Sequence, residues 1–93
     1  MTIEVKIPAV MRTNTAGQSS ISCTGNTVKE ALADLVNQHS DIEKVLFDSS
    51  ANLHKYVNIY IDSEDIRYIG GLEAELGDAK ELTILPAVAG GQE

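Results

Sequence analysis

Thr27-Val28-Lys29-Glu30-Ala31-Leu32-Ala33-Asp34-Leu35-Val36 is the stretch on which the fold turns. Thr27 followed three residues later by Glu30 is a capping-box pattern: a hydroxyl at the N-cap and a carboxylate at the third helical position. Val28, Leu32, Leu35 and Val36 stand at i, i+4, i+7 and i+8, one apolar stripe of an amphipathic helix. The pattern fades at Gln38-His39-Ser40. No other segment carries a helical pattern of this length, so everything else is arranged around one helix.

Before it, Ile3, Val5 and Ile7 alternate with Glu4 and Lys6, the period of a half-buried strand, and Pro8 limits its pairing. Arg12-Thr13-Asn14-Thr15-Ala16-Gly17 reads as a hairpin turn, and Ile21 and Cys23 alternate with Ser20 and Ser22 in a second strand closed by Gly25-Asn26. After the helix, Ile42, Val45, Leu46 and Phe47 suggest a short second helix or turn, and Asp48-Ser49-Ser50-Ala51-Asn52 a loop. Val57, Ile59 and Ile61 alternate with Tyr56, Asn58 and Tyr60 in a strong third strand. Asp62-Ser63-Glu64-Asp65 reads as a turn and Ile66-Arg67-Tyr68 as a short fourth strand broken by Gly70-Gly71. Leu72–Leu76 reads as one helical turn and Leu82–Leu85 as the last strand.

The order β-β-α-β-β-β predicts an α+β domain, one main helix packed on a mixed sheet. If the first and last strands are central neighbours they run parallel through a long crossover, which is the β-grasp (ubiquitin-like) arrangement. At 93 residues the chain is one domain with a modest core and no room for a deep cleft. Residues 1–85 are expected to form the β-grasp body and 86–93 a flexible C-terminal tail.

Fourteen acids against 7 bases give a net charge of −7. That balance argues against nucleic acid, whose phosphates need a basic face. Seven of the acids fall between Asp62 and Glu81, a clustering that favours a field directed at a basic partner. The lone Cys23 alternates with Ile21 on an inward position and reads as a small buried hydrophobe rather than a nucleophile. His39 suits a helix C-terminus, His54 has no companion ligands, Glu64 and Asp65 read as a solvated turn, and Gly70-Gly71 lacks the Lys-Ser/Thr of a phosphate loop. No catalytic constellation and no metal site are read. Met1–Lys6 alternates charge with apolar residues, unlike a signal peptide, and no apolar run approaches the ~20 residues of a membrane span. A cytoplasmic protein is expected.

The last strand leads into Pro86-Ala87-Val88-Ala89-Gly90-Gly91-Gln92-Glu93. Pro86 offers no N–H and is expected to start the tail where the ladder ends. Six residues, Pro86 to Gly91, extend at most about 20 Å, enough to thread a partner's active site with the body outside. Ala87, Val88 and Ala89 are small enough to line a channel and apolar enough to be held there. Gly90 and Gly91 let the backbone approach a reactive group with no Cβ in the way. Leu82 and Ile84 should face the helix, which turns Thr83 and Leu85 to the open sheet face. An exposed Leu85 beside Pro86, with Tyr60 sharing the face, is expected to form a docking contact.

Three stretches carry a resemblance: Leu85–Gly91, Tyr56–Arg67, and the turn and cap Gly25-Asn26-Thr27-Val28. On them the chain resembles the ubiquitin-like sulfur carriers of the MoaD/ThiS family. Leu53-His54-Lys55-Tyr56 and Gly70-Gly71-Leu72 point within it to the branch that supplies sulfur for cysteine synthesis from O-phosphoserine. The resemblance implies a protein cosubstrate, not an enzyme, with no bound cofactor. An E1-like adenylating/sulfurtransferase partner would spend ATP to adenylate the carboxylate of Gly91, a sulfur donor would displace AMP to leave a thiocarboxylate, and a sulfide-accepting synthase would take the sulfur. In the family the sheet face and tail contact both partners. Sulfur supply to a secondary-metabolite or molybdopterin pathway (as a synthase small subunit), and a ubiquitin-like modifier joined to lysines, stay open. Gln92-Glu93 departs from the family's usual ending and holds Gly91 in a peptide bond. The expectation is a precursor cut between Gly91 and Gln92, with a JAMM-type metalloprotease as the candidate.

Overall fold

The computed structural model describes residues 2–50, 52–54 and 57–86. Strand β1 (Thr2–Lys6) pairs antiparallel with β2 (Ser20–Thr24) and parallel with β5 (Glu81–Pro86). β3 (Val57–Ile61) pairs antiparallel with β5 and with the two-residue β4 (Glu64–Asp65). The sheet order is β2-β1-β5-β3-β4, so the first and last strands are central neighbours and parallel, the β-grasp topology. Helix α1 (Val28–Gln38) lies on one face, and the crossover continues through a 3-10 turn (Ser40–Ile42) and the short α2 (Glu43–Leu46).

The alternation sets which face is covered. Val5, Cys23, Ile59, Leu82 and Ile84 from the sheet and Val28, Ala31, Leu32 and Leu35 from α1 are buried in one core. Val36 packs at its margin, and Ile42 and Leu46 extend the core under the crossover. The helix starts where its cap predicts. The Glu30 N–H donates to the Thr27 hydroxyl at 3.2 Å, and the Glu30 carboxylate reaches back to the Asn26 N–H at 2.7 Å, one residue before the cap. Gly25 has to be glycine, because a Cβ there would stand 2.7 Å from the Ala31 nitrogen. Backbone and helix touch at that corner.

Four expectations need correction. Residues 12–17 are not a plain hairpin turn: a 3-10 helix spans Ala9–Asn14 and buries Met11. Only then does the chain reverse, through left-handed Ala16 and Gly17 over the fully buried Thr15, whose hydroxyl lies 3.0 Å from the Gln18 carbonyl. The fourth strand is Glu64–Asp65, not Ile66–Tyr68. Asp62, at φ 54°, closes a two-residue turn with Ser63, and the Asp65 carboxylate accepts the Arg67 N–H at 2.9 Å, which bends Ile66–Tyr68 into a 3-10 turn. The helical turn expected over Leu72–Leu76 is a 3-10 turn at Gly71–Glu73, and Glu75 instead bridges to Thr27. Finally, Pro86 belongs to β5, opposite Val57, one residue beyond the expected boundary. β1 pairs with β5 only as far as Thr83, so the missing Pro86 N–H leaves no rung of β1 unmet.

Candidate functional site: the open sheet face and the root of the tail

β5 delivers the chain to the tail, and its alternation decides what stands at the root. Leu82 and Ile84 are buried against the helix side, whereas Leu85 is 45% exposed. The register sets Asn58 opposite Leu85 and Tyr60 opposite Thr83, so all four share the open face, where the alternation placed the docking candidates Leu85 and Tyr60. Pro86 follows Leu85 and is exposed. Tyr56 lies outside the described residues, as do Ala87, Val88, Ala89, Gly90, Gly91, Gln92 and Glu93.

One feature of this face departs from the sequence reading. Asp65 is not part of a solvated turn. It stands opposite Tyr60, and its side chain is only 11% exposed because Arg67 folds back over it. The Arg67 Nη2 lies 2.7 Å from Asp65 Oδ2, and its Nε donates to the same carboxylate. The guanidinium hydrogen bonds hold the Asp65 carboxyl below its ordinary value and push Arg67 above its own. A fork with two parallel N–H donors fixes the orientation of both groups. The pair therefore forms a polar edge beside Tyr60. The Asp-x-Arg spacing was its one signal in the sequence, legible only once a turn at Asp65 is known.

Other singled-out residues are structural. Cys23 is fully buried; burial, and then the Asp34 carboxylate, push its thiol up to about 12, so no thiolate is present at neutral pH. His39 caps α1, its N–H donating to the Leu35 carbonyl at 2.8 Å. An open groove of about 890 Å³ lies on the helix side, between Lys29, Ala33 and Val36 of α1 and Lys44 and Phe47 beyond it. Neither Leu85 nor Tyr60 lines it, so this concavity and the tail root are separate features. Among the described residues no cluster of three or more His, Cys, Asp or Glu could hold a metal ion, and no helix is long and apolar enough to cross a membrane.

The sequence profile of the ThiS family matches residues 5–91, from β1 to the second glycine of the tail. The chain belongs to the ThiS family. It is a homologue of sulfur carrier protein CysO of Mycobacterium tuberculosis, with 44% identity over 93 residues, covering 98% of this chain and 100% of the relative. Among solved structures, the Amycolatopsis orientalis BexX/CysO complex holds a chain with TM-score 0.86 and 45% identity, covering 96% of this chain and 99% of that one. SAMP1 from Haloferax volcanii matches at TM-score 0.82 and 26% identity, covering 98% and 100%. The ubiquitin-like β-grasp reading and the ThiS-family resemblance both hold.

Proposed function

We propose that this ThiS-family chain is a sulfur carrier whose working atom is the carboxyl carbon of Gly91. The observation that carries the reading is the family match ending on Gly91, combined with 44% identity to a sulfur carrier protein along the full chain. The chain is then a cosubstrate, and the catalytic groups belong to its partners. A free carboxylate is a poor acylating group. An E1-like adenylating enzyme uses ATP to convert the Gly91 carboxylate to an acyl adenylate, releasing pyrophosphate. Sulfide from a donor attacks the acyl carbon, the C–O bond to AMP breaks, and a thiocarboxylate remains. It is anionic at neutral pH and serves as a sulfur nucleophile for an acceptor bound in a synthase. Positioning and electrostatics supplied by the partners lower each barrier. No cofactor is held by the carrier, and ATP is used by the partner enzyme. Cysteine synthesis is the destination that similarity to CysO favours. The BexX/CysO complex is a precedent, in another protein, for a partner engaging a carrier of this fold.

Leu85, Pro86 and Tyr60 dock the partner while Ala87, Val88, Ala89 and Gly90 thread to its active site. Before any of this, hydrolysis of the Gly91–Gln92 amide must release the dipeptide Gln92-Glu93, a task suited to a JAMM-type metalloprotease. Intact-mass analysis of the protein from its own cells is expected to find chains ending at Gly91. Active protein that retains Gln92-Glu93 throughout contradicts the proposal. Similarity to SAMP1, named a small archaeal modifier protein in solved structures, favours a second reading, in which the same activated Gly91 is joined to lysine amines. Stable lysine conjugates in those cells would select it.

A further inference from the structure

We infer that Asp34 and Gln38 form a clasp that closes the β2 edge of the sheet against pairing with a second copy of this chain. Among the described residues β2 is the outermost strand on its side, and one of its backbone edges has no neighbouring strand. The Ser19 carbonyl accepts the Ile7 N–H at 2.8 Å, which turns the odd-numbered residues of this segment toward β1 and the backbone groups of Ser20, Ser22 and Thr24 outward. Natural edges are usually protected by charge, by proline or by shortness. The other edge strand, β4, is two residues long. β2 has none of these protections: Ser20-Ile21-Ser22-Cys23-Thr24 is five residues of uncharged, β-compatible sequence.

Its protection comes instead from α1. The Thr24 N–H donates to Asp34 Oδ2 at 3.0 Å, and Gln38 Nε2 donates to the Ser22 carbonyl at 2.9 Å. Asp34 and Gln38 stand one helical turn apart, and Gln38 Nε2 also donates to Asp34 Oδ2 at 3.1 Å, which ties the two side chains together. These are one donor and one acceptor of the outward row that an added strand would need. Gln38 Nε2 also approaches Cys23 Sγ at 3.8 Å, on the helix-covered side of the strand. The occupant that the freed edge fits is a second β2. An antiparallel pair on a two-fold axis through Ser22 sets Ser20 opposite Thr24 of the other copy, with small, uncharged side chains throughout. The clasp thus keeps each copy single and leaves the open sheet face and the tail root as the surfaces presented to partners.

The test uses the full chain alone, with no partner enzyme or ATP, so its outcome is independent of sulfur chemistry at Gly91. Sedimentation and light scattering compare the parent with Asp34→Ala/Gln38→Ala, with circular dichroism as the check of folding. The folded double variant is expected to self-associate at least about tenfold more strongly than the parent, with the Ser20 and Ser22 amides gaining protection from hydrogen exchange. Adding Ser22→Pro, which removes an outward N–H that only an edge strand can spare, must return it to the monomer. A folded double variant that associates no more than the parent overturns the inference, and so does a dimer that survives Ser22→Pro. Should the double variant fail to fold, Gln38→Ala alone frees the Ser22 carbonyl. It must then associate more than the parent, and a folded Gln38→Ala chain that stays as monomeric as the parent overturns the inference equally.

Discussion

Leu85 is the residue at which packing and function separate. Its neighbours Leu82 and Ile84 are fully committed to the core, while Leu85 itself keeps 45% of its surface in water at the mouth of the tail. A substitution here should leave stability within about 0.5 kcal/mol, as at other exposed sites, yet remove an apolar anchor from the docking face. Leu85→Glu is therefore expected to melt with the parent and to bind the adenylating enzyme at least about tenfold more weakly by calorimetry. Unchanged affinity would move the docking surface elsewhere. The placement of Leu85 was legible, because period-two alternation along Leu82–Leu85 assigns each side chain to a face without further information. Asp65 was not legible in the same way. Its pairing with Arg67 exists only because the chain turns immediately after β4, and that turn is made by the same carboxylate. Likewise the Asp34–Gln38 contact with β2 joins side chains to a backbone edge far along the chain, a relation that no local pattern encodes.

At the scale of elements, α1 was written most plainly. A cap, a carboxylate three residues on and an apolar stripe all specify one helix with one buried face, and each agrees with the others. The Thr27 hydroxyl satisfies an N–H that the first turn cannot satisfy internally. Thr27→Ala is expected to cost about 1 kcal/mol, a lowering of Tm of roughly 4–8 °C for a domain of this size, read by thermal unfolding. A change within error would mean that the Asn26–Glu30 contact alone holds the helix start. The short elements were written least plainly. Ile66-Arg67-Tyr68 has strand-like composition, but Ile66 is needed in the core and Asp65 caps the next turn, so tertiary burial overrides propensity. The Ala9–Asn14 turn was missed for a related reason: Ala9-Val10-Met11 is too short an apolar run to show a period, and only Met11 of it is buried.

At the scale of the whole molecule, the order of elements was legible as one helix among strands, whereas the central parallel pairing of β1 with β5 entered only as a condition, which the sheet order β2-β1-β5-β3-β4 meets. That topology places the last strand in the middle of the sheet, flanked by β1 as far as Thr83 and by β3 as far as Pro86, so the chain's exit is anchored by β3 through the Val57–Pro86 rung. A body with its exit in mid-sheet suits the proposed role, in which the terminus is presented to successive active sites. The acidic surplus adds a field suited to partners with basic docking surfaces. The central claim concerns a single atom, the Gly91 carboxyl carbon. The most direct measurement takes the chain trimmed to Gly91, incubates it with its adenylating enzyme, ATP and a sulfide source, and reads its intact mass. The account predicts a gain of one sulfur-for-oxygen exchange, dependent on ATP and absent from the untrimmed chain; an unchanged mass with an adenylating enzyme shown to be active would contradict it.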